Sequence, residues 1–213
     1  MRNNLFLKYT ALLMVAGLIL MGLACTEIAP VLNPGGGNNN GGEGPVDEQP
    51  RQVLIEEFTG VRCVNCPAGS QAIEALLDVH ANQLVAVSIH AGQFAFPFPG
   101  QEDYANDDSR SLLTYLGSPL GYPTAVVNRR KFDAEENIFT GLSSWAGLIA
   151  EELLSPPMVR IDLNTNFNDA SGELDIETDI YVDETIVSDD VRLSIFITEN
   201  DIVGPQVTPQ SSQ

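Results

Sequence analysis

Residues 53–69 read VLIEEFTGVRCVNCPAG, and a strand pattern, a turn and a helix pattern meet in them. The run from Val53 to Phe58 is apolar and β-prone, and Thr59 and Gly60 stop it. From Pro67 onward Ile73, Leu76, Leu77 and His80 recur at the i, i+3, i+4, i+7 spacing of one helix face, with Ala72 beside them. Cys63 and Cys66 therefore stand at a strand-to-helix turn. A thiol at the first turn of a helix meets unpaired backbone N–H groups and the positive end of the helix dipole, which favour its thiolate. A free cysteine of pKa about 8.5 is only a few per cent ionised at neutral pH, whereas one lowered to about 6.5 is mostly thiolate and attacks disulfides. A second thiol three residues on can displace the mixed disulfide that results. Arg62, directly before Cys63, adds positive charge there. Pro67 suits a helix start, where its missing N–H costs little.

Further along, residues 84–89 form a second short apolar run that ends at His90-Ala91-Gly92 and reads as a buried strand. Phe94, Phe96 and Phe98 follow with their prolines, either as a hydrophobic lip or, more simply, as cover over the core. An acidic loop comes next, and residues 109–116 read as a helix. Strand, helix and strand in this order make a β-α-β unit. After Gly121-Tyr122-Pro123, residues 124–127 read as a third strand, with a further short strand expected at Phe132. Ile138, Leu142, Trp145, Ile149 and Leu153 mark a closing amphipathic helix. The expectation is an α/β domain over residues 51–156.

Past Pro156 and Pro157 the pattern turns to strands, at 159–163, 174–182 and 191–197. Glu173, Asp175, Glu177 and Asp179 alternate with mostly apolar residues, the period of a half-buried strand. Such acids could offer oxygens to calcium, but a solvated strand face is the simpler account. Three strands make a poor independent sheet. Residues 157–213 are therefore expected to form a short β-rich segment, an incomplete β-sandwich in a truncated chain, with a polar, shapeless tail from Gly204.

At the other end, Arg2 and Lys8 precede an apolar stretch that runs to Ala24. A short basic region, a short apolar region and a small residue before the cut make a secretory signal over residues 1–24. The stretch is shorter than the roughly 20 residues that span a bilayer as a helix. Gly22-Leu23-Ala24-Cys25 resembles a bacterial lipoprotein box, in which Cys25 becomes the lipid-bearing first residue. Residues 33–50, NPGGGNNNGGEGPVDEQP, have no apolar periodicity and read as a tether of about 20 to 25 Å. Residues 25–50 are thus a lipidated N-terminus and linker. With Cys25 carrying lipid, two of the three cysteines remain, and in an oxidising compartment Cys63 and Cys66 have only each other. The chain holds 29 acidic and 10 basic residues, a formal net charge of −19. That field repels nucleic acid and anionic lipid surfaces, so neither is expected as a partner.

Cys-x-x-Cys alone also serves structural disulfides and zinc sites. Zinc is disfavoured because His80 lies about 21 Å along the helix from Cys66, and neither metal nor cofactor is expected. The surroundings of the motif are similar to thioredoxin in three places. Glu57 and Phe58 precede Cys63 where thioredoxins carry a buried acid and a Phe. Cys63 and Cys66 open the helix. Tyr122-Pro123-Thr124 resembles the cis-proline segment that faces the cysteine pair and binds substrate backbone.

Residues 53–69, together with SIFITENDIVGPQ at 194–206, more closely resemble the outer-membrane-protein-28-related lipoproteins, a thioredoxin-like family of Gram-negative bacteria. The resemblance runs from about residue 50 to 205. It implies a thioredoxin-like fold in a protein lipid-anchored in the cell envelope, at the outer membrane. That family carries no settled activity, so it bears on the fold more than on the reaction; the likeness to thioredoxin is what implies that Cys63 attacks, Cys66 resolves, Glu57 moves protons and Tyr122, Pro123 and Thr124 bind substrate. The partners would be protein thiols or disulfides of the envelope. Departures from thioredoxin are the missing Trp before Cys63, the Val-Asn pair between the cysteines, and a longer segment between Cys66 and Pro123.

His90 ends a strand expected to run parallel to the first, so it emerges at the same sheet edge as the cysteines. It is an accessory candidate with Arg62, or else a solvated strand-end residue. Two functional readings stand: a thiol–disulfide oxidoreductase, and a non-catalytic surface or binding lipoprotein that keeps Cys63 and Cys66 as a closed staple.

Overall fold

The structure, a computed structural model, describes residues 50–182, 185–187 and 191–209. The expected signal, Cys25 and the expected linker up to residue 49 lie outside the described residues. Four strands form one mixed sheet in the order β2-β1-β3-β4. β1 (Val53–Thr59) lies between β2 (Leu84–His90), which is parallel to it, and β3 (Thr124–Val127), which is antiparallel; β4 (Thr140–Gly141) pairs with β3. α1 (Cys66–His80) connects β1 to β2, α2 (Asp107–Leu116) follows β2, and α3 (Trp145–Leu153) follows β4.

Strand parity decides which side chains meet which helix. Val53 and Ile55 of β1, Leu84 of β2, and Ala125 and Val127 of β3 cluster with Ile73 of α1 and with Trp145, Leu148 and Ile149 of α3. Phe58, Ile89 and Val126 turn the other way, into a second cluster bordered by Leu112, Leu113 and Leu116 of α2. The sheet is thus a middle layer, with α1 and α3 on one face and α2 on the other. Phe58, Ile55 and Ile149 are fully enclosed, each contributing about 1.5–3 kcal/mol by leaving water. α2 starts where the side chain of Asn106 accepts the Ser109 N–H at 2.8 Å while Ser109 Oγ accepts the Asn106 N–H at 3.1 Å, a reciprocal cap.

A polar hub ties α3 to the sheet. Glu152, 3% exposed, accepts hydrogen bonds from Arg51 (2.9 Å), Asn128 (2.6 Å) and Arg130 (2.6 Å). Asn128 Oδ1 in turn accepts the Leu54 N–H at 2.8 Å. Burial alone would raise the Glu152 carboxyl, but these three donors more than reverse it and hold it below its ordinary value.

Several expectations change. Phe132 is not in a strand; it is buried in the first cluster, and the short fourth strand lies further on at Thr140–Gly141. The last helix begins at Trp145, so Ile138 and Leu142 pack against the clusters from the segment before it. Residues 191–197 form no strand. β5 (Val159–Asn168) and β6 (Glu173–Val182) instead form a separate two-stranded antiparallel ribbon. Ile161 pairs with Ile180 and Phe167 with Leu174 on one side, and Asp162 pairs with Asp179 and Asn166 with Asp175 on the other. The acids do share a face as expected. The apolar face is open rather than half-buried, with Phe167 59% exposed, and no sandwich forms among the described residues.

Candidate functional site

The turn after β1 is set by Gly60. A Cβ there would lie 2.6 Å from the Ala95 N and overlap the Phe94 backbone, so only glycine lets the two segments touch. The Cys63 N–H donates to the Gly60 carbonyl at 2.9 Å, and the Cys66 N–H to the Cys63 carbonyl at 3.3 Å. Cys63 and Cys66 are joined in a disulfide, their Cα atoms 5.3 Å apart. Cys66 is the first residue of α1, and Cys63 stands in the turn just ahead of it. Both are buried, at 2% and 1% exposure.

Glu57 comes next in importance. Its odd parity in β1 puts it on the face that α1 covers, and it is 0% exposed. Oε2 accepts a hydrogen bond from Ser88 Oγ at 3.1 Å, and Oε1 has no hydrogen-bond partner. That oxygen points at Gly69, where an added Cβ would overlap it and would also lie 2.9 Å from the Pro123 Cβ. Burial pushes the carboxyl from 4.5 up to about 7, against the opposing pull of the Ser88 and Ser70 hydroxyls. Glu56 faces the other way and is also buried, because both of its oxygens are held by Arg129, at 2.9 and 2.7 Å. Neither acid is a rim carboxylate.

The Tyr122–Pro123 bond is cis. The Tyr122 hydroxyl donates to the Ala91 carbonyl at 3.2 Å, its ring meets Phe94 edge-on at 5.4 Å, and burial raises its pKa. Gly92, at φ +80°, leaves room for that hydroxyl. Pro123 packs over Gly69 in the first turn of α1. Thr124 is buried, and its hydroxyl donates to the Thr140 carbonyl at 3.0 Å. Its side chain is thereby committed to β4, and its backbone lies in the sheet between Phe58 of β1 and Gly141 of β4.

The accessory candidates are placed differently from one another. Arg62 donates to the carbonyls of Phe96 (2.8 Å) and Pro97 (2.6 Å) and lies over the Phe98 ring at 4.7 Å. Its work is to hold the 94–98 segment against the turn. Phe94 and Phe98 are half-buried by these contacts, and Phe96 is exposed. His90 sits opposite Thr59 in the β1–β2 register. It meets Tyr104 edge-on at 5.4 Å and has a buried Nδ1 without a partner. Burial lowers its pKa, with Asp103 pulling it back up, so it is not a solvated strand-end residue.

Sequence reasoning missed Gln206. Its side-chain amide donates to the Cys63 carbonyl at 2.9 Å and to the Gly60 carbonyl at 3.4 Å, and the Val207 N–H donates to the Val61 carbonyl at 2.8 Å. The tail, expected to be shapeless, lies on the cysteine turn. Only the phrase containing IVGPQ, within the family resemblance, hinted at it. A shallow depression lined by Asp107, Arg110, Ser111, Thr114 and Tyr115 belongs to α2 alone and includes none of these residues. Among the described residues, no group of three or more His, Cys, Asp or Glu side chains is placed to hold a metal ion. No described helix is long and apolar enough to cross a membrane.

No family model matches the chain, and no curated protein does. Among solved structures, HBP35 of Porphyromonas gingivalis aligns at 21% identity with a TM-score of 0.40, covering 54% of this chain and 37% of that one. A crystallographically solved protein of Agrobacterium tumefaciens aligns at 16% identity with a TM-score of 0.43, covering 62% of this chain and 57% of that one. The chain spans less than two thirds of either structure. The architecture is a mixed α/β fold with a four-stranded sheet.

Proposed function

We propose that this chain carries a thioredoxin-like domain that exchanges disulfides through Cys63 and Cys66. In this reading it belongs with the outer-membrane-protein-28-related lipoproteins and is held by lipid on Cys25 in the envelope of a Gram-negative bacterium. Its partners are protein thiols and disulfides there.

The observation that carries the reading is Glu57: a fully buried carboxyl beneath the first turn of the helix that Cys66 opens, with one oxygen unpartnered and a pKa of about 7. A structural disulfide needs no such acid, and burying an unpaired carboxylate is costly. A group poised near neutrality can take and return a proton at working pH. In the forward direction the Cys63 thiolate attacks one sulfur of a partner disulfide, and the other partner sulfur leaves as a thiolate that is protonated by solvent. Cys66 gives its proton to Glu57 and attacks Cys63. The Cys63–Cys66 bond forms, the second partner sulfur leaves, and two electrons have passed to the partner. The dipole at the start of α1 stabilises the anion on Cys63, and the cis segment at Pro123 lies beside the same turn.

A second reading, a closed staple in a binding lipoprotein, draws on the near-complete burial of both cysteines. Insulin reduction by the full chain, beside Cys63→Ser and Glu57→Gln, separates the two. Exchange predicts loss of turnover in Cys63→Ser and a slower, pH-shifted rate in Glu57→Gln. Equal rates in all three proteins would leave the staple as the function of the pair.

A further inference from the structure

The segment 203–207 crosses the cysteine turn from the far end of the chain. Three features make it more than a loose tail. Its backbone pairs with the turn through the Val207 N–H and the Val61 carbonyl at 2.8 Å. Its Gln206 amide spans two carbonyls of the turn, those of Cys63 and Gly60. Its near end is held by the Tyr104 hydroxyl, which donates to the Val203 carbonyl at 3.5 Å, while an added Cβ at Gly204 would lie 2.7 Å from that ring. Tyr104 also meets His90 edge-on, so the strap is anchored beside the sheet edge that carries His90.

The Gly60 and Cys63 carbonyls each accept one hydrogen bond within the turn, from the Cys63 and Cys66 N–H groups, and have a second lone pair to offer, while the Val61 carbonyl takes its donor from Val207; a buried carbonyl needs a donor. Residues 94–98 cover a different side of the turn through Gly60 and Arg62, and Pro123 covers α1 beyond it. The strap supplies donors on the flank they leave, one from its backbone at Val207 and one from the Gln206 side chain.

We infer that the turn 60–63 is a docking site for an extended polypeptide, filled here in cis by residues 203–207, and that this strap shields the Cys63–Cys66 disulfide. The inference concerns the same pair as the exchange reading but does not depend on turnover. It is read from the accessibility of the bond to a small reductant, so either can fail without the other.

The experiment uses the full chain and a water-soluble phosphine. The phosphine attacks one sulfur, the S–S bond breaks, water gives oxygen to phosphorus, and both sulfurs leave as thiols that are then labelled. Val207→Pro removes the donor N–H, and Gln206→Ala removes the amide. Together they are expected to speed reduction about tenfold, within the scale of the hydrogen bonds lost. The emission of Trp145, the chain's one tryptophan and fully buried, reports that the fold is intact. Amide hydrogen exchange of Val207 in the unaltered chain gives a reading that needs no variant. Faster reduction with Val207 protected supports the strap. An unchanged reduction rate, or a Val207 amide that exchanges as fast as an unstructured one, overturns it.

Discussion

Ser88 and Glu57 stand directly opposite each other in the parallel register of β2 and β1, and the serine hydroxyl donates to Glu57 Oε2 at 3.1 Å. This is the one hydrogen bond that the buried carboxyl makes with proper geometry, and it favours the charged form while burial favours the neutral one. Removing it should tip the balance further. In Ser88→Ala the Glu57 carboxyl is expected to titrate above its present value of about 7, as followed by carboxyl infrared bands or NMR. A titration at or below that value would show that Ser88 does not set the charge of Glu57.

The same carboxyl links stability to pH. Its pKa is higher in the folded chain than in the unfolded one, so the folded state binds the proton more tightly. The stabilisation is fully present below about 4.5 and is lost as pH rises through about 7, a loss of about 3 kcal/mol. Glu57→Gln should remove that dependence. Denaturant midpoints at pH 4.5 and 8, compared between the two proteins, measure it, and parallel profiles would contradict the burial of a titrating acid at this position.

Glu152 has the opposite sign. Its pKa is held below the ordinary value, so its contribution is present above about pH 4.5 and disappears as pH falls through the lower, folded value. Glu152→Ala strips the partner from Arg51, Asn128 and Arg130 at once. Since two of these reach solvent easily, the cost is expected near the low end for a broken buried pair, about 3 kcal/mol. Urea unfolding at neutral pH reads it, with Trp145 fluorescence as the probe.

Gly69 separates α1 from the buried acid. Gly69→Ala places a methyl against Glu57 Oε1 and the Pro123 ring, and overpacking of this kind costs about 1–3 kcal/mol. An exposed glycine in a helix would gain stability from the same change. A measured gain would mean that the helix does not press on Glu57.

The cysteine turn was legible in the sequence because strand, stop and helix signals are local and abut there. Glu57 is marked in the sequence only by the likeness to thioredoxin, and the strand's own pattern does not separate it from Glu56. Leu54 and Phe58 are as apolar as Val53 and Ile55, so alternation names no inner face, and both acids turned out to be buried by different partners. Glu152 sits beside the exposed Glu151 in a helix and gives no sign that Arg51 and Arg130, far off in the chain, converge on it. The strap escaped for a related reason: a lone Gln beside Pro205 has no periodicity, and its role exists only through carbonyls 143 residues away. In 191–197 the alternation of Val191, Leu193, Ile195 and Ile197 is strand-like, but a strand requires a neighbouring backbone as well as a pattern, and among the described residues the segment belongs to no sheet.

The ribbon of β5 and β6 makes part of the chain an amphiphile. One side offers isoleucine, leucine and phenylalanine to solvent, and the other carries Asp162, Asp175, Glu177 and Asp179. Dissolved copies are kept apart by a net charge of −19 acting over a screening distance of about 10 Å at 0.1 M salt. Acid or concentrated salt removes that repulsion and leaves the oily side unchanged. Light scattering should therefore find single molecules in dilute neutral buffer and clusters as the pH nears 4.1, the chain's isoelectric point. Colloidal stability in this protein rests on its carboxylates.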